Sequence, residues 1–147
     1  MSEPARNLPQ LLVQAKRWFE DALLASMQAA GERPVTVPQA AVFATLDEEG
    51  TSISELARRV GVTRQTAHQA VRSLIGMGLL EQVPDPASGR SSLVRATAEG
   101  ARAHQRALAT IAVIEGVLAE RIGAATATAL RQALAAPWGE PPLVEAP

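Results

Sequence analysis

The 147-residue sequence contains no cysteine and no tyrosine, and only two tryptophans, two phenylalanines and two histidines. The absence of cysteine excludes disulfides, thiol-based sensing and thiolate metal sites. With two histidines and no cysteine, we expect no dedicated transition-metal site. No apolar run approaches the length of a membrane span, and Met1 to Gln10 lacks the charged-then-apolar layout of a signal peptide. We therefore expect a cytoplasmic protein with no membrane partner.

The sequence also lacks the usual signs of catalysis. There is no Ser/His/Asp constellation on suitable elements, no glycine-rich phosphate loop and no cluster of metal ligands. We therefore expect that the protein is not an enzyme and binds no cofactor.

Charge is nearly balanced over the whole chain, with a formal net charge of -1, but it is unevenly distributed. Between Thr51 and Arg106 there are eight arginines and four acids, whereas the rest of the chain has six basic and eleven acidic residues. A basic centre with acidic flanks suits a protein that meets phosphate with one surface only.

The basic centre begins with a pattern typical of a short amphipathic helix. Its apolar residues fall at i, i+3, i+4 and i+7 and form one stripe, namely Ile53, Leu56, Ala57 and Val60. Ser52 and Glu55 have the spacing of a capping box, in which each side chain satisfies an amide. Gly61 supplies the left-handed residue that ends the helix.

A second helix is predicted after Thr63, whose hydroxyl can cap it, and Gly78 closes it. Its apolar stripe comprises Ala67, Ala70, Val71 and Leu74. The opposite face bears no acid and consists of Arg64, Gln65, His68, Gln69 and Arg72. Two crossed helices with a short turn form a helix-turn-helix, whose second helix can enter a DNA major groove. The alternative is a packed helix pair with a solvated face, although such a face would usually mix Glu with Arg.

After Gly78, the apolar residues no longer follow helical spacing. Residues 79–83 and 92–96 are predicted to be short strands, and the turn residues between them put Arg90 at the hairpin tip. Directly after a helix-turn-helix, this hairpin makes a winged helix; taken alone, it is equally a plain surface hairpin. With a helix capped by Thr36 and carrying Pro38 in its first turn, the DNA-binding lobe covers residues 36–100.

Long helical periods flank this lobe. Helices are predicted over residues 8–30, from Thr97 to about Ile122 and over 124–135, followed by an irregular proline-rich tail at 137–147. Their apolar faces are wider than lone surface helices need. We predict one domain over residues 1–147, mainly α with a small β-wing, in which 8–30 and 101–135 form a helical dimerisation layer. The alternative is that these helices close a monomeric core.

The combined motifs resemble the MarR (multiple antibiotic resistance regulator) family over about residues 8–135. The matching pieces are TxPQ at Thr36 to Gln39, SELARRVGVTRQT at Ser54 to Thr66, GLLE at Gly78 to Glu81, Asp85 and Arg90 in the wing, and LVRATAEG at Leu93 to Gly100. The resemblance implies an obligate homodimer that binds pseudo-palindromic operators in double-stranded DNA. It also implies a repressor released by a small-molecule effector, often aromatic. Gln82, Ser88, Gly89 and Ala96 depart from the family pattern and predict a weaker wing anchor.

We expect eight residues to contact DNA: Ser52, Thr63, Arg64, Gln65, His68, Gln69, Arg72 and Arg90. Arg64 and Gln65 lie in the first turn of the second helix, where arginine can bind guanine and glutamine adenine. Arg72 is better placed for phosphate, and Arg90 for the minor groove or its backbone. Arg58 and Arg59 are either further phosphate contacts or solvated charge, and the sequence does not choose between the two.

A ligand site, if present, would lie between the dimer helices and the winged lobe, with Trp18, Phe19, Phe43 and His104 as candidates. Aromatics on an apolar stripe are usually core residues, and a histidine following Arg102 is expected to be solvated. The alternative function is a winged-helix module that binds protein and not DNA. It predicts apolar or acidic residues on the outer face of the second helix.

Overall fold

The computed structural model describes residues 5–145, which form six helices and a two-stranded sheet. The elements in chain order are α1 (Leu8–Ala29), α2 (Val37–Thr45), α3 (Ile53–Val60), α4 (Arg64–Gly76), β1 (Leu80–Asp85), β2 (Ser88–Ala96), α5 (Ala98–Ile122) and α6 (Ala124–Ala135). The mainly helical fold with a small β-wing is the one that the sequence predicts. The chain divides into two compact units, one up to Ile111 and one from Ala112 onward. The last two residues of the predicted tail lie outside the described residues.

The core of the first unit joins α2, α3, α4 and the wing. Its largest fully buried side chains are Val42, Leu56, Val71, Leu74, Leu80 and Val94. Each such burial contributes roughly 1.5–3 kcal/mol to folding. The predicted stripe of α4 is buried along its whole length, at Ala67, Ala70, Val71 and Leu74. The opposite face of α4 is thereby turned outward.

Side-chain caps fix where α2, α3 and α4 begin. Thr36 and Gln39 form a reciprocal capping box on α2, with each side chain accepting from the other residue's amide. Thr63 caps α4 by accepting from the Thr66 amide at 3.1 Å. Ser52 caps α3 in the same way, by accepting from the amide three residues on.

The capping box predicted for α3 is only half formed. The Ser52 hydroxyl accepts from the Glu55 amide at 3.2 Å. The Glu55 carboxylate does not return the bond, because it accepts hydrogen bonds from Arg58 and Arg59 instead. Gly61 ends the helix in the left-handed conformation, with φ 77°, as predicted.

The wing strands are longer than predicted, and this moves Arg90. β1 runs to Asp85 and β2 begins at Ser88, so the turn consists of residues 86 and 87. Arg90 therefore lies on β2 and not at the tip. The register shifts next to Pro84, where residues 89–91 of β2 form a bulge. Pro84 is tolerated inside β1 because a two-stranded sheet leaves an edge on which its missing amide costs little.

The base of the wing is held by a third segment. Thr51 and Val94 exchange two backbone hydrogen bonds of 2.8 and 2.9 Å, which form an isolated antiparallel bridge. Thr51 is 3 % exposed and lies just before α3. The bridge therefore attaches β2 to the start of the helix-turn-helix.

The second unit contains the end of α5, α6 and the tail. Gly123, with φ 94°, separates the two helices. Arg131 donates to the Glu115 carboxylate at 2.6 Å, and the Trp138 indole N–H donates to the Ala133 carbonyl at 2.9 Å. Among the described residues, no helix is both long and apolar enough to span a bilayer.

Candidate nucleic-acid interface

The outer face of α4 carries five polar side chains, all of them exposed: Arg64, Gln65, His68, Gln69 and Arg72. None of the five donates or accepts a side-chain hydrogen bond within residues 5–145. The buried stripe on the opposite side packs α4 against the core, which leaves this face exposed. It is therefore free to enter a groove of DNA.

Hydroxyl groups lie at the starts of α3 and α4, but part of their hydrogen-bonding capacity is used within the protein. Ser52 accepts from the Glu55 amide, which leaves its hydroxyl proton available. Thr63 accepts from the Thr66 amide and donates to the Thr66 hydroxyl at 2.9 Å. Thr66 is exposed and keeps its own proton for an outside acceptor. Sequence reasoning passed over Thr66, although a hydroxyl in the first turn of the second helix is a visible signal.

The arginines of the basic centre fall into two groups. Five of them form ion pairs with carboxylates of the same chain: Arg58, Arg59, Arg95, Arg102 and Arg106. The other three, Arg64, Arg72 and Arg90, form no ion pair among residues 5–145. The three unpaired guanidinium groups belong to α4 and to the wing, so the positive charge that remains available lies on these two elements.

Arg59 makes four hydrogen bonds within the protein. Its guanidinium donates to both Asp47 oxygens at 2.9 and 3.0 Å, to Glu55 at 3.0 Å and to the Thr45 carbonyl at 2.8 Å. These bonds tie α3 to the end of α2. Arg58 pairs with Glu55, and its side chain remains 71 % exposed.

These ion pairs shift the pKa of the carboxyl groups that make them. Hydrogen bonds from Arg58, and then from Arg59, lower the pKa of Glu55 to about 2. The bond from Arg59 also lowers the pKa of Asp47. Both carboxylates are therefore fully charged at neutral pH and neutralise the arginines that they bind.

A second ion-pair network lies between the loop after α1 and the start of α5. Glu32 accepts from Arg102 at 2.8 and 3.1 Å and from Arg106 at 3.2 Å, and Arg102 also binds Glu99. The hydrogen bond from Arg102 is the main cause of the lowered pKa of Glu32. Arg102 and Arg106 are thus paired with carboxylates of their own chain, and their charge is less available to a partner.

A buried polar side chain links α2 to α4. Gln39 is 8 % exposed, and its amide donates to the Ser73 hydroxyl at 2.9 Å. Beside it, a depression of about 230 Å³ is lined by Thr36, Pro38, Gln39, Thr66, Gln69 and Ala70. None of the four candidate ligand residues lines this depression.

The candidate ligand residues form two pairs. Trp18 contacts Phe19 edge-to-face, with ring centroids 5.0 Å apart, on α1. Phe43 of α2 stacks on His104 of α5, with centroids 5.8 Å apart and an interplanar angle of 20°. His104 is half-buried, so the expectation of a solvated histidine is wrong. The described residues contain no group of three or more metal-binding side chains that could hold a metal ion.

Many solved structures are similar to this chain, among them the following three. The transcriptional repressor CouR of Rhodococcus jostii RHA1, bound to a 23-mer DNA duplex, is 25 % identical with a TM-score of 0.73, covering 88 % of this chain and 90 % of CouR. The PcaV transcriptional regulator of Streptomyces coelicolor, in complex with its natural ligand, is 30 % identical with a TM-score of 0.61, covering 90 and 94 %. A MarR family protein of Mycobacterium tuberculosis in complex with salicylic acid is 25 % identical with a TM-score of 0.67, covering 89 and 96 %. The sequence profile of the MarR family matches residues 34–91, and no curated protein matches significantly.

A helix-turn-helix followed by a two-stranded wing, with unpaired arginines on both, defines the class of winged-helix, DNA-binding transcription regulators. Within this class, the chain belongs to the MarR family. Members of this family are transcription regulators and not enzymes.

Proposed function

We propose that the protein is a homodimeric repressor that binds a pseudo-palindromic operator in double-stranded DNA and is released by a small-molecule effector. One observation carries this proposal: within residues 5–145, the basic centre keeps three arginines free of ion pairs, and all three lie on α4 and the wing. The similarity to CouR, which is bound to a DNA duplex and is called a repressor, supports it.

Each candidate residue has a distinct role in this proposal. Arg64 and Gln65 read base edges in the major groove, since bidentate pairs of arginine with guanine and of glutamine with adenine discriminate between bases. His68 and Gln69 read bases directly or through water. Arg72, Ser52 and Thr63 contact phosphates and set the register of α4 on the duplex. Arg90 enters the minor groove or grips its backbone.

The homodimer is supported by apolar surface that the single chain leaves uncovered. α1 contains no buried residue, and its Leu8 and Val13 are 74 and 60 % exposed. α6 also contains no buried residue and exposes Leu130 and Leu134. Surface of this kind is typical of helices that pack against a second copy. In a twofold dimer, the two copies of α4 would lie about 34–36 Å apart, one turn of DNA.

The effector would bind near Phe43 and His104, whose stacked rings join α2 of the DNA-binding lobe to α5. A ligand that separates or reorders these rings would move α2 relative to α5 and so disturb the lobe. PcaV in complex with its natural ligand and the mycobacterial relative in complex with salicylic acid support an effector site in this fold. Trp18 and Phe19 contact each other on α1 and are the second candidate pair.

The test begins with selection of a duplex from a randomised pool by the purified protein, followed by gel shifts at several salt concentrations. The proposal predicts a tight, salt-sensitive complex with a pseudo-palindromic duplex. Arg64→Ala should abolish preference at one base position per half-site, a loss of about 1–3 kcal/mol there, with non-specific binding nearly unchanged. Arg58→Ala is the control, because its charge is already paired with Glu55.

Two results would contradict the proposal. Absence of any salt-sensitive binding to DNA would favour the protein-binding module instead. Equal loss of affinity for all sequences on removal of Arg64 would exclude its assignment as a base-reading residue.

A further inference from the structure

The base of the wing forms a joint with the helices that precede and follow it. The hairpin leaves α4 through Leu79, directly before β1, and enters α5 through Thr97, directly after β2. The Thr97 amide donates to the Leu79 carbonyl at 3.1 Å, which closes the hairpin at its base. The end of α4, the base of the wing and the start of α5 therefore meet at this joint.

The Thr97 hydroxyl is used twice in this joint. It donates to the Gly78 carbonyl at 2.6 Å, and it accepts from the Gly100 amide at 3.0 Å. The first bond holds the residue that follows α4. The second caps α5. One hydroxyl group thus ties together the two backbone segments that border the wing.

Gly100 completes the joint by allowing close approach of two backbones. A Cβ atom at position 100 would lie 1.9 Å from the carbonyl oxygen of Leu79 and 2.8 Å from its carbonyl carbon. No side chain fits there without movement of the backbone, because real Cβ atoms do not approach other atoms so closely. Gly100 is buried. The spacing between α5 and the base of β1 is accordingly set by the absence of a side chain.

We propose that Thr97 and Gly100 are positioning residues for DNA binding, which fix the angle of the wing so that Arg90 reaches the duplex. This inference rests on the proposed function, and in particular on contact between Arg90 and DNA. Val94, where the wing is also bridged to Thr51, lies four residues from Arg90, a lever of about 13 Å at the usual rise per strand residue. A rotation of the hairpin by about 10° about this point would move Arg90 by roughly 2 Å, enough to break a hydrogen bond.

Loss of the joint would not release the wing completely. The Thr51–Val94 bridge attaches β2 independently, and the buried Leu80 and Val94 keep the hairpin on the core. Without the Thr97 hydroxyl, the hairpin would remain folded and gain freedom to pivot about this bridge. The effect of the joint is therefore expected in the contribution of Arg90 and not in the presence of the wing.

The experiment is a double-mutant cycle between Thr97 and Arg90, measured on a duplex selected by the wild-type protein. Thr97→Val removes both hydroxyl bonds and keeps the branched shape, while Thr97→Ser retains the hydroxyl. Each is made with and without Arg90→Ala, and the readout is the slope of log affinity against log salt concentration. Gly100→Ala probes the same joint from the other side. Gly139→Ala is the matched control, since it strains a left-handed glycine of the C-terminal tail, outside the DNA-binding lobe.

In the wild type, Arg90→Ala should lower the salt slope by about 0.9 per protomer, the value for one lost phosphate contact. In the Thr97→Val background the same substitution should leave the slope nearly unchanged. Thr97→Ser should restore the full effect, and Gly139→Ala should preserve it. Far-UV circular dichroism and cooperative thermal unfolding of Thr97→Val establish that the wing effect is measured on folded protein.

The two ideas fail in different ways. If Arg90→Ala lowers the slope equally with valine and with threonine at position 97, the positioning role is wrong and the proposed function stands. If Arg90→Ala has no effect in the wild type, the DNA contact of Arg90 is wrong and the positioning role falls with it.

Discussion

Two arginines five positions apart have opposite surroundings. Arg59 is held by four acceptor atoms from Thr45, Asp47 and Glu55. Arg64 is exposed and binds no carboxylate within the described part of the chain. A guanidinium that already has ionic partners gains little from phosphate, because contact with DNA would first require breaking these bonds. The unpaired one carries no such cost.

The ion pairs between carboxylates and arginines make the stability of the protein depend on pH. The pKa of Glu55 is lowered from its model-compound value of 4.5 to about 2. A lowered pKa in the folded state adds stability that is fully present above about pH 4.5 and is lost as pH falls toward 2. The free energy of unfolding of the wild type should therefore approach that of Glu55→Gln over this window.

Urea denaturation of both proteins between pH 7 and pH 2 measures this convergence. Glu140→Gln serves as the control, because Glu140 forms no ion pair within residues 5–145. Its difference from the wild type should change little over the window. A constant difference between wild type and Glu55→Gln at all pH values would contradict the assignment.

Residue-scale features were only partly predictable from the sequence. The Thr36, Ser52 and Thr63 caps were visible because capping is local and depends on spacing of three residues. The role of Arg59 was not visible, since Asp47 reaches it only after α2 and α3 have packed. The outer face of α4 was predictable from its period, whereas its freedom from ion pairs was not.

At the scale of elements, helices follow the sequence more closely than the wing does. The bounds of α1, α5 and α6 agree with the predicted ones within one residue, because capping residues and glycines mark them. The wing strands include Pro84 and Ser88. The sequence prediction had placed both in the loop because this stretch is rich in turn-forming residues. A bulge accommodates the extra residues of β2, and bulges have no period that a sequence pattern can reveal. Arg90 was misplaced for this reason.

The end of α3 offers a prediction on stability. Gly61 has φ 77°, so Gly61→Ala should destabilise the protein by about 1–2 kcal/mol, the cost of a left-handed alanine. Gly76 lies at the end of α4 with open space around it, so Gly76→Ala should stabilise by roughly 0.5–1 kcal/mol. Thermal and urea unfolding measure both. A Gly61→Ala protein as stable as the wild type would show that the turn between α3 and α4 does not need its left-handed residue.

At the scale of the whole molecule, the pairing of arginines with carboxylates decides where positive charge is available, and the net charge does not. The net charge is -1, yet acids from the flanking segments, Glu32 and Asp47, neutralise arginines of the basic centre. The unevenness of charge along the sequence correctly located the basic segment. It could not tell which of the eight arginines remain unpaired, because some of the pairing acids, such as Glu32 and Asp47, are distant in sequence and reach their arginines only in the tertiary fold.

The most direct test of this account compares two charge-matched triple variants in the salt dependence of binding to the selected duplex. One carries Arg64→Gln, Arg72→Gln and Arg90→Gln, and the other Arg58→Gln, Arg95→Gln and Arg106→Gln. Both lose three positive charges, so long-range attraction falls equally and the difference isolates direct contacts. The account predicts that the first lowers the salt slope by about 2 per protomer, since Arg72 and Arg90 are the phosphate contacts, while the second changes it little. Equal losses, or a larger loss in the second, would contradict it.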